Sequence, residues 1–251
     1  MIVFASDYVG FKIVEFLTTK NIKISHLVLD KQNSGNFNEK IIALSKHVQF
    51  GIYHNTDLND NKFLDDLEKT APKIGILTWW PYILKGRILS IPKFGWLNFH
   101  PSYLPYNRGK HSNFWSVVDN TPCGVSFQFI DEHIDTGDII IQKKIDINWE
   151  DTGKSIDEKS REAIIDLFKD NYDLILQNKL PRIKQSKNEG SYHSSKEMWE
   201  VCNIKLDSTY TARKLFNIIR GKMFHPYSPA FFYDGTKKYS VEIIIKEQLN
   251  D

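Results

Sequence analysis

Cysteine is nearly absent. Two occur in 251 residues, Cys123 and Cys202, far apart and outside any CxxC pairing. That excludes a disulfide-stapled scaffold and a cysteine zinc site, and it makes a reducing cytoplasm the expected compartment. Long apolar runs are missing too. No stretch approaches the roughly 20 residues of a membrane helix, and the start, MIVFASDYVGFKIVEF, lacks the basic region and long apolar core of a secretory signal. Neither sign of charge dominates: 33 Lys and Arg face 31 Asp and Glu, for a net charge of +2, and the lysines are scattered. Neither a nucleic acid, which needs a positive field, nor a membrane is therefore expected as a partner. None of the eight histidines has a typical ligand spacing, so no metal is expected. There is no internal repeat and no low-complexity tract. What is present, 41% hydrophobic and 25% charged residues, is the balance of a soluble globular protein. The length allows one large domain or a catalytic domain with an appendage.

Strand-like and helix-like patterns alternate through the first half. Ile2, Val3 and Phe4 form a short apolar run, and Val9, Ile13, Val14, Phe16 and Leu17 recur at helical spacing. Ile24 to Leu29 reads as a second strand, KQNSGN as a loop, Ile41 to Leu44 as helix and Phe50 to Tyr53 as strand. Asn59 to Lys69 fits an amphipathic helix, and KIGILT, Lys73 to Thr78, a buried strand. This alternation predicts an α/β fold with a Rossmann-like, mostly parallel sheet. From Gly95 a strand runs into a loop rich in Pro, Asn and Gly. Ser112 to Val118 fits a helix with Ser112 as its cap. Gly124 to Ile130 and Asp138 to Ile147 read as strands around a turn-like IDTG, and Ser155 to Gln177 as a long helix with Ile164, Phe168, Tyr172 and Ile175 on one face. The chain breaks near Pro181, with KQSKNEGS as a connector. Residues 1–180 are thus expected to form the catalytic domain, and 181–251 a small α+β accessory region. That region has a helix from Thr209 to Ile219 and closes in a hairpin across Asp234-Gly235.

Chemistry concentrates in Asn98-Phe99-His100-Pro101-Ser102-Tyr103-Leu104-Pro105. Strand alternation sets Asn98 and His100 on one face, about 7 Å apart. They stand at a strand's carboxyl end, where ligands collect in open α/β sheets. Asp135 follows in the turn of DEHIDTGD. An Asn that donates to a developing oxyanion, a His that moves a proton and an Asp that orients it would suit acyl transfer. On residue types alone a second reading stands beside this one, with Asn98 bonding a loop backbone and Asp135 forming a turn.

N-x-H-P-S-x-L-P followed by D-x-G resembles the signature of the folate-dependent formyltransferases, which act on glycinamide ribonucleotide, methionyl-tRNA or amino sugars. The resemblance runs from about Gly75 to Gln142 and implies the formyltransferase fold. It makes Asn98, His100 and Asp135 the catalytic triad and N10-formyltetrahydrofolate the formyl donor. It also implies a folate pocket of largely backbone groups at Trp80, Tyr82, Ile83 and Leu84, with Ile130, Glu132 and His133. Independently of that, Trp79-Trp80-Pro81-Tyr82 is an aromatic cluster suited to a flat ring, or to packing beneath a loop.

The acceptor is read from length and tail. The tRNA enzymes are usually longer, with a basic domain, and a ribonucleotide phosphate would meet Asp7 in the loop Ser6-Asp7-Tyr8-Val9-Gly10. The sugar N-formyltransferases are the best match, with IRGKMFHPYSPAFF in the tail. Ser228-Pro229 departs from the more usual Pro-Gly there. The resemblance implies a nucleotide-linked amino sugar, most often a dTDP-4-amino-4,6-dideoxy sugar for surface polysaccharide or O-antigen, and a homodimer. Candidate substrate contacts are Tyr8, Arg108, Lys110, His111, Tyr192 and Arg220. Other readings are a tRNA or small-metabolite formyltransferase, or a non-catalytic folate or nucleotide-sugar binding protein.

Overall fold

Short apolar runs form the strands of the first half, and the amphipathic segments between them form its helices. The computed structural model describes residues 1–31, 36–54, 58–186 and 189–248. In chain order these give β1 (Ile2–Ala5), α1 (Asp7–Thr19), β2 (Ile24–Leu29), α2 (Phe37–Leu44), β3 (Val48–His54), α3 (Asn61–Lys69), β4 (Gly75–Thr78) and β5 (Trp96–His100). Next come β6 (Arg108–Gly109), α4 (Ser112–Val118), β7 (Gly124–Phe129), β8 (Ile139–Lys144) and α5 (Gly153–Leu176). The last are β9 (Tyr192–His193), α6 (Ser195–Cys202), β10 (Asn203–Ile204), α7 (Ala212–Lys222), β11 (Ala230–Asp234) and β12 (Lys237–Val241). Most of the expected KQNSGN loop lies outside the described residues.

Seven strands form one sheet in the order β3-β2-β1-β4-β5-β7-β8. Pairing is parallel from β3 to β5, and β7 runs antiparallel to β5. The mostly parallel, Rossmann-like sheet expected from the alternating pattern is present. The order reverses at β1, which has β2 on one side and β4 on the other. Ligands in such sheets sit beyond the carboxyl ends of the strands.

Two compact units emerge, each drawing on several stretches of the chain. One comprises Met1–His100, Ser126–Ile141 and Ile164–Lys184, the other Pro101–Val125, Gln142–Ala163 and Gln185–Asp251. In the first, α3 supplies Phe63, Leu64 and Leu67 to an apolar cluster with Ile2, Phe4, Leu77 and Trp96. Asp60 caps that helix, its carboxylate accepting from the Phe63 N–H at 2.8 Å. Phe16 of α1 packs edge-on against Phe168 and Tyr172 of α5. In the second, Phe114, Trp115, Met198, Cys202, Ile218, Ile219 and Ala230 form the main cluster. Each fully buried large side chain adds roughly 1.5–3 kcal/mol.

Two local expectations, the cap at Ser112 and the strand reaching Ile147, are corrected. His111, in a left-handed conformation at φ 58°, occupies the N-cap of α4. Ser112 lies inside that helix and donates to the Pro101 carbonyl at 2.7 Å. β8 ends at Lys144, because Ile145 and Ile147 turn to pack on Val117, Cys123 and Ile156. β12 ends at Val241, beyond which Ile243 packs on the Phe114 cluster. The stretch after the connector holds a further helix, α6, closed by a capping box between Ser194 and Glu197.

Candidate active site

Alternation along β5 sets Trp96, Asn98 and His100 on one face, and Leu97 and Phe99 on the other. Trp96 anchors the strand: it is 1% exposed and its indole N–H donates to the Ile88 carbonyl at 2.7 Å. On the reverse face Phe99 stacks on Phe127 at 4.0 Å and leans on Phe168 at 5.5 Å. A one-residue slip would turn Phe99 outward and His100 into that stack, so the apolar packing fixes the register. Asn98 is half-buried and its side-chain amide is committed to no hydrogen bond among the described residues. It does not bond a loop backbone, the alternative open from residue type alone.

Across the antiparallel pair, Gln128 faces Asn98 and Ser126 faces His100. Directly opposed residues share a face. Asn98, His100, Gln128 and Ser126 therefore form one polar group, and both β7 members are fully buried. Sequence reasoning missed Gln128. The signal was there: a polar residue at every second position of GVSFQFI, against Phe on the other face.

Asp135 reaches this group from the loop after β7. Its backbone is left-handed, φ 54°, a conformation that Asp tolerates better than most residues. Two residues on, a Cβ at Gly137 would run into the Phe129 carbonyl oxygen, so only glycine fits. The Asp131 carboxylate holds the loop from within, accepting from the His133 N–H at 2.9 Å and the Thr136 hydroxyl at 2.8 Å. D-x-G is thus both a turn and a device for delivering a carboxylate. One oxygen of Asp135, Oδ1, accepts from Gln128 Nε2 at 2.8 Å, and Oδ2 stands 3.6 Å from His100 Nε2. The His100 and Asp135 side chains are 8% and 11% exposed.

The seven residues expected at folate divide by burial. Leu84 is core, and Trp80 and Ile130 pack against the same cluster. Trp80 lies edge-on between Phe4 at 4.9 Å and Tyr82 at 5.5 Å. Its buried indole N–H has no acceptor among the described residues. Tyr82, Ile83, Glu132 and His133 are exposed. Buried Asp30 pushes the Tyr82 phenol above its ordinary range, with burial adding to that.

Of the expected substrate contacts, Tyr8 opens α1 and packs edge-on against Phe37 at 6.0 Å. The others belong to the second unit. Arg108 donates from Nε and Nη2 to Gln185 Oε1, a neutral partner, in the strand that pairs with exposed Tyr192. Lys110 is exposed. His111 is held below the ordinary histidine range, by desolvation of its ring first and then by the charges of Lys222 and Lys110. Arg220 is a correction. It is 7% exposed, and its guanidinium donates to Asn217 and to the carbonyls of Asn148 and Asp151, so it organises the interior rather than a ligand. Among the described residues, no group of three or more His, Cys, Asp or Glu could hold a metal ion, and no helix is long and apolar enough to cross a membrane.

The family model described as Formyl transferase matches residues 14–169, and that of the N-formyltransferase dimerization C-terminal domain matches residues 197–247. In sequence the chain is 29% identical over 183 residues to a methionyl-tRNA formyltransferase of Fusobacterium nucleatum, covering 72% of this chain but 57% of that protein. Among solved structures, a 4-N formyltransferase from Francisella tularensis matches with a TM-score of 0.79 at 24% identity, covering 98% of each chain. An N-formyltransferase from Helicobacter canadensis, solved with folinic acid and dTDP-3-aminofucose, matches with a TM-score of 0.68 at 22% identity, covering 88% of this chain and 80% of that one.

Proposed function

The chain belongs to the formyl transferase family, and from that premise we propose that it moves a formyl group from N10-formyltetrahydrofolate to the amino group of a nucleotide-linked sugar. The carrying observation is the convergence of Asn98, His100 and Asp135 at the carboxyl end of β5, with His100 Nε2 3.6 Å from Asp135 Oδ2. An unprotonated amine adds its lone pair to the formyl carbon and gives up one proton, the bond from that carbon to N10 breaks, and N10 takes one proton. Charge develops meanwhile on the formyl oxygen, where the Asn98 amide and the His100 imidazole are placed to donate. Asp135 sets the orientation and charge of His100. The donor's flat ring would lie by Trp80 and Tyr82, against backbone groups of residues 83, 84, 130, 132 and 133.

A sugar acceptor is supported by the likeness, over 88% of this chain, to the Helicobacter enzyme solved with dTDP-3-aminofucose and by the match of residues 197–247. Within the second unit Arg108 and Lys110 offer the cations a diphosphate would require, and Tyr192 an exposed ring. A dTDP-4-amino-4,6-dideoxy sugar destined for surface polysaccharide is our specific reading. A second reading, formylation of methionyl-tRNA, follows the sequence relatives, whose length this chain spans by under three fifths. A net charge of +2 offers an RNA backbone little. The test follows tetrahydrofolate release with a panel of TDP-, UDP- and GDP-linked 3- and 4-amino sugars, glycinamide ribonucleotide and methionyl-tRNA. Turnover of a sugar nucleotide alone supports the reading, and turnover of the tRNA alone replaces it.

A further inference from the structure

We infer that Gln128 is a positioning residue which aims Asp135 at His100 while leaving the carboxylate's charge intact. The inference rests on the formyl-transfer reading and adds a residue to it. Gln128 is 0% exposed in the middle of β7, where an apolar side chain would be the more stabilising occupant. Its register partner is Asn98, so its amide lies on the face that carries His100. Nε2 donates to Asp135 Oδ1 at 2.8 Å, and the carboxylate's second oxygen is the one that looks toward His100 Nε2.

Asp135 needs such an anchor. It hangs on a loop with a left-handed backbone, whereas Gln128 is fixed by sheet hydrogen bonds and by the Phe99–Phe127 stack on the reverse face. The choice of donor matters as well. A Lys or Arg at 128 would hold the same oxygen but compensate its charge, and His100 would then face a neutralised pair. An amide orients the carboxylate and leaves its full charge to act on the imidazole. The side chain is fully buried with its amide on Asp135, so its effect passes through that carboxylate.

Two variants test this. Gln128→Met keeps length and flexibility and removes the donor. Gln128→Glu restores a donor only when its carboxyl is protonated. Gln128→Met should lower kcat by about 10- to 100-fold, in line with a misplacement of about 1 Å, while KM for folate and acceptor stays within about threefold. Gln128→Glu should be as impaired at pH 8, where two carboxylates repel, and should regain activity as the pH falls toward about 5.5, with an optimum below that of the wild type. A role confined to packing would not give the Glu variant an acid-shifted profile. Wild-type kcat in the Met variant, or a wild-type pH profile in the Glu variant, would overturn the inference. Should Gln128→Met unfold, the Glu profile is read alone. If the wild type turns over no acceptor, the transfer reading fails, and the 15N resonances of the His100 imidazole at pH 8 still decide the positioning role. They should move in the Met variant relative to wild type, and unmoved resonances would rule the role out.

Discussion

Between His100 Nε2 and Asp135 Oδ2 lie 3.6 Å, beyond a hydrogen bond yet within the reach of a charge. Catalytic contacts are often long before substrates bind, and tighten when they do. His100→Asn replaces the imidazole donor with a neutral amide that Asp135 cannot charge, so it tests whether the imidazole itself is needed. We expect kcat at saturating substrates to fall by about 100-fold or more, with folate affinity within a few-fold. Unchanged turnover would remove His100 from the chemistry. A second histidine bears on stability. His26 on β2 is 1% exposed, and burial, with a smaller push from the Met1 ammonium, holds it below its ordinary range against an opposing pull from Asp66. The folded ring is therefore neutral where the unfolded one begins to protonate, near pH 6.5. Protons favour the unfolded chain, so the denaturation midpoint should be highest above about pH 6.5 and drop as the pH is lowered through it. His111, also shifted down, contributes with the same sign. Urea melts at pH 7.5 and 5.5 should show a smaller drop for His26→Gln than for the wild type. An equal drop would place the dependence elsewhere.

At the scale of elements, sequence pattern served where an apolar run was buried almost throughout. The strand from Ile24 to Leu29 and the helix from Ser112 to Val118 have the limits their apolar residues predict. It served less well where a short apolar run had two places to go. Ile145 and Ile147 look like strand residues, but a cluster around Ile156 takes them. The eight residues of α6 carried too little periodicity, although Ser194 and Glu197 spelled a capping box. In the site, Asn98, His100 and Asp135 stood out through the resemblance carried by N-x-H-P-S-x-L-P and D-x-G, since residue types alone left a second reading open. Gln128 did not, because its role exists only once β5 and β7 pair. The D-x-G turn is itself testable. With Gly137→Ala the new methyl meets the Phe129 carbonyl oxygen, so the loop must shift and carry Asp135 with it. Overpacking of this kind costs about 1–3 kcal/mol, hence a fall in Tm of about 3–10 °C for a chain of this size. Activity should fall with it at temperatures where the variant is fully folded. Full activity with an unchanged Tm would show that the loop tolerates a side chain there.

For the molecule as a whole, the surface of the second unit argues for a partner of its own kind. Phe232 and Tyr239 pair across the β11–β12 hairpin, stacked at 5.4 Å, and Phe232 turns toward the Phe114 cluster. The alternate residues, Phe231 and Tyr233, lie on the opposite face, with Lys238 over the Phe231 ring at 3.9 Å. Gly235, at φ 57°, makes the turn. β12 is an edge strand, with β11 on its one paired side. Unpaired edges invite a second chain unless something guards them. Here Tyr233 is 49% exposed on one face of the hairpin, Tyr239 42% on the other, and Ile244 85% beyond its end. A family model for a dimerization domain matches these residues. We therefore expect a homodimer built on the hairpin, and Tyr233→Asp combined with Ile244→Asp should turn it into a monomer by light scattering at micromolar concentration. The catalytic group lies in the other unit, so the monomer should retain its folate affinity. A wild type that is already monomeric would defeat the proposal. A dimer unaffected by both substitutions would move the interface to another face.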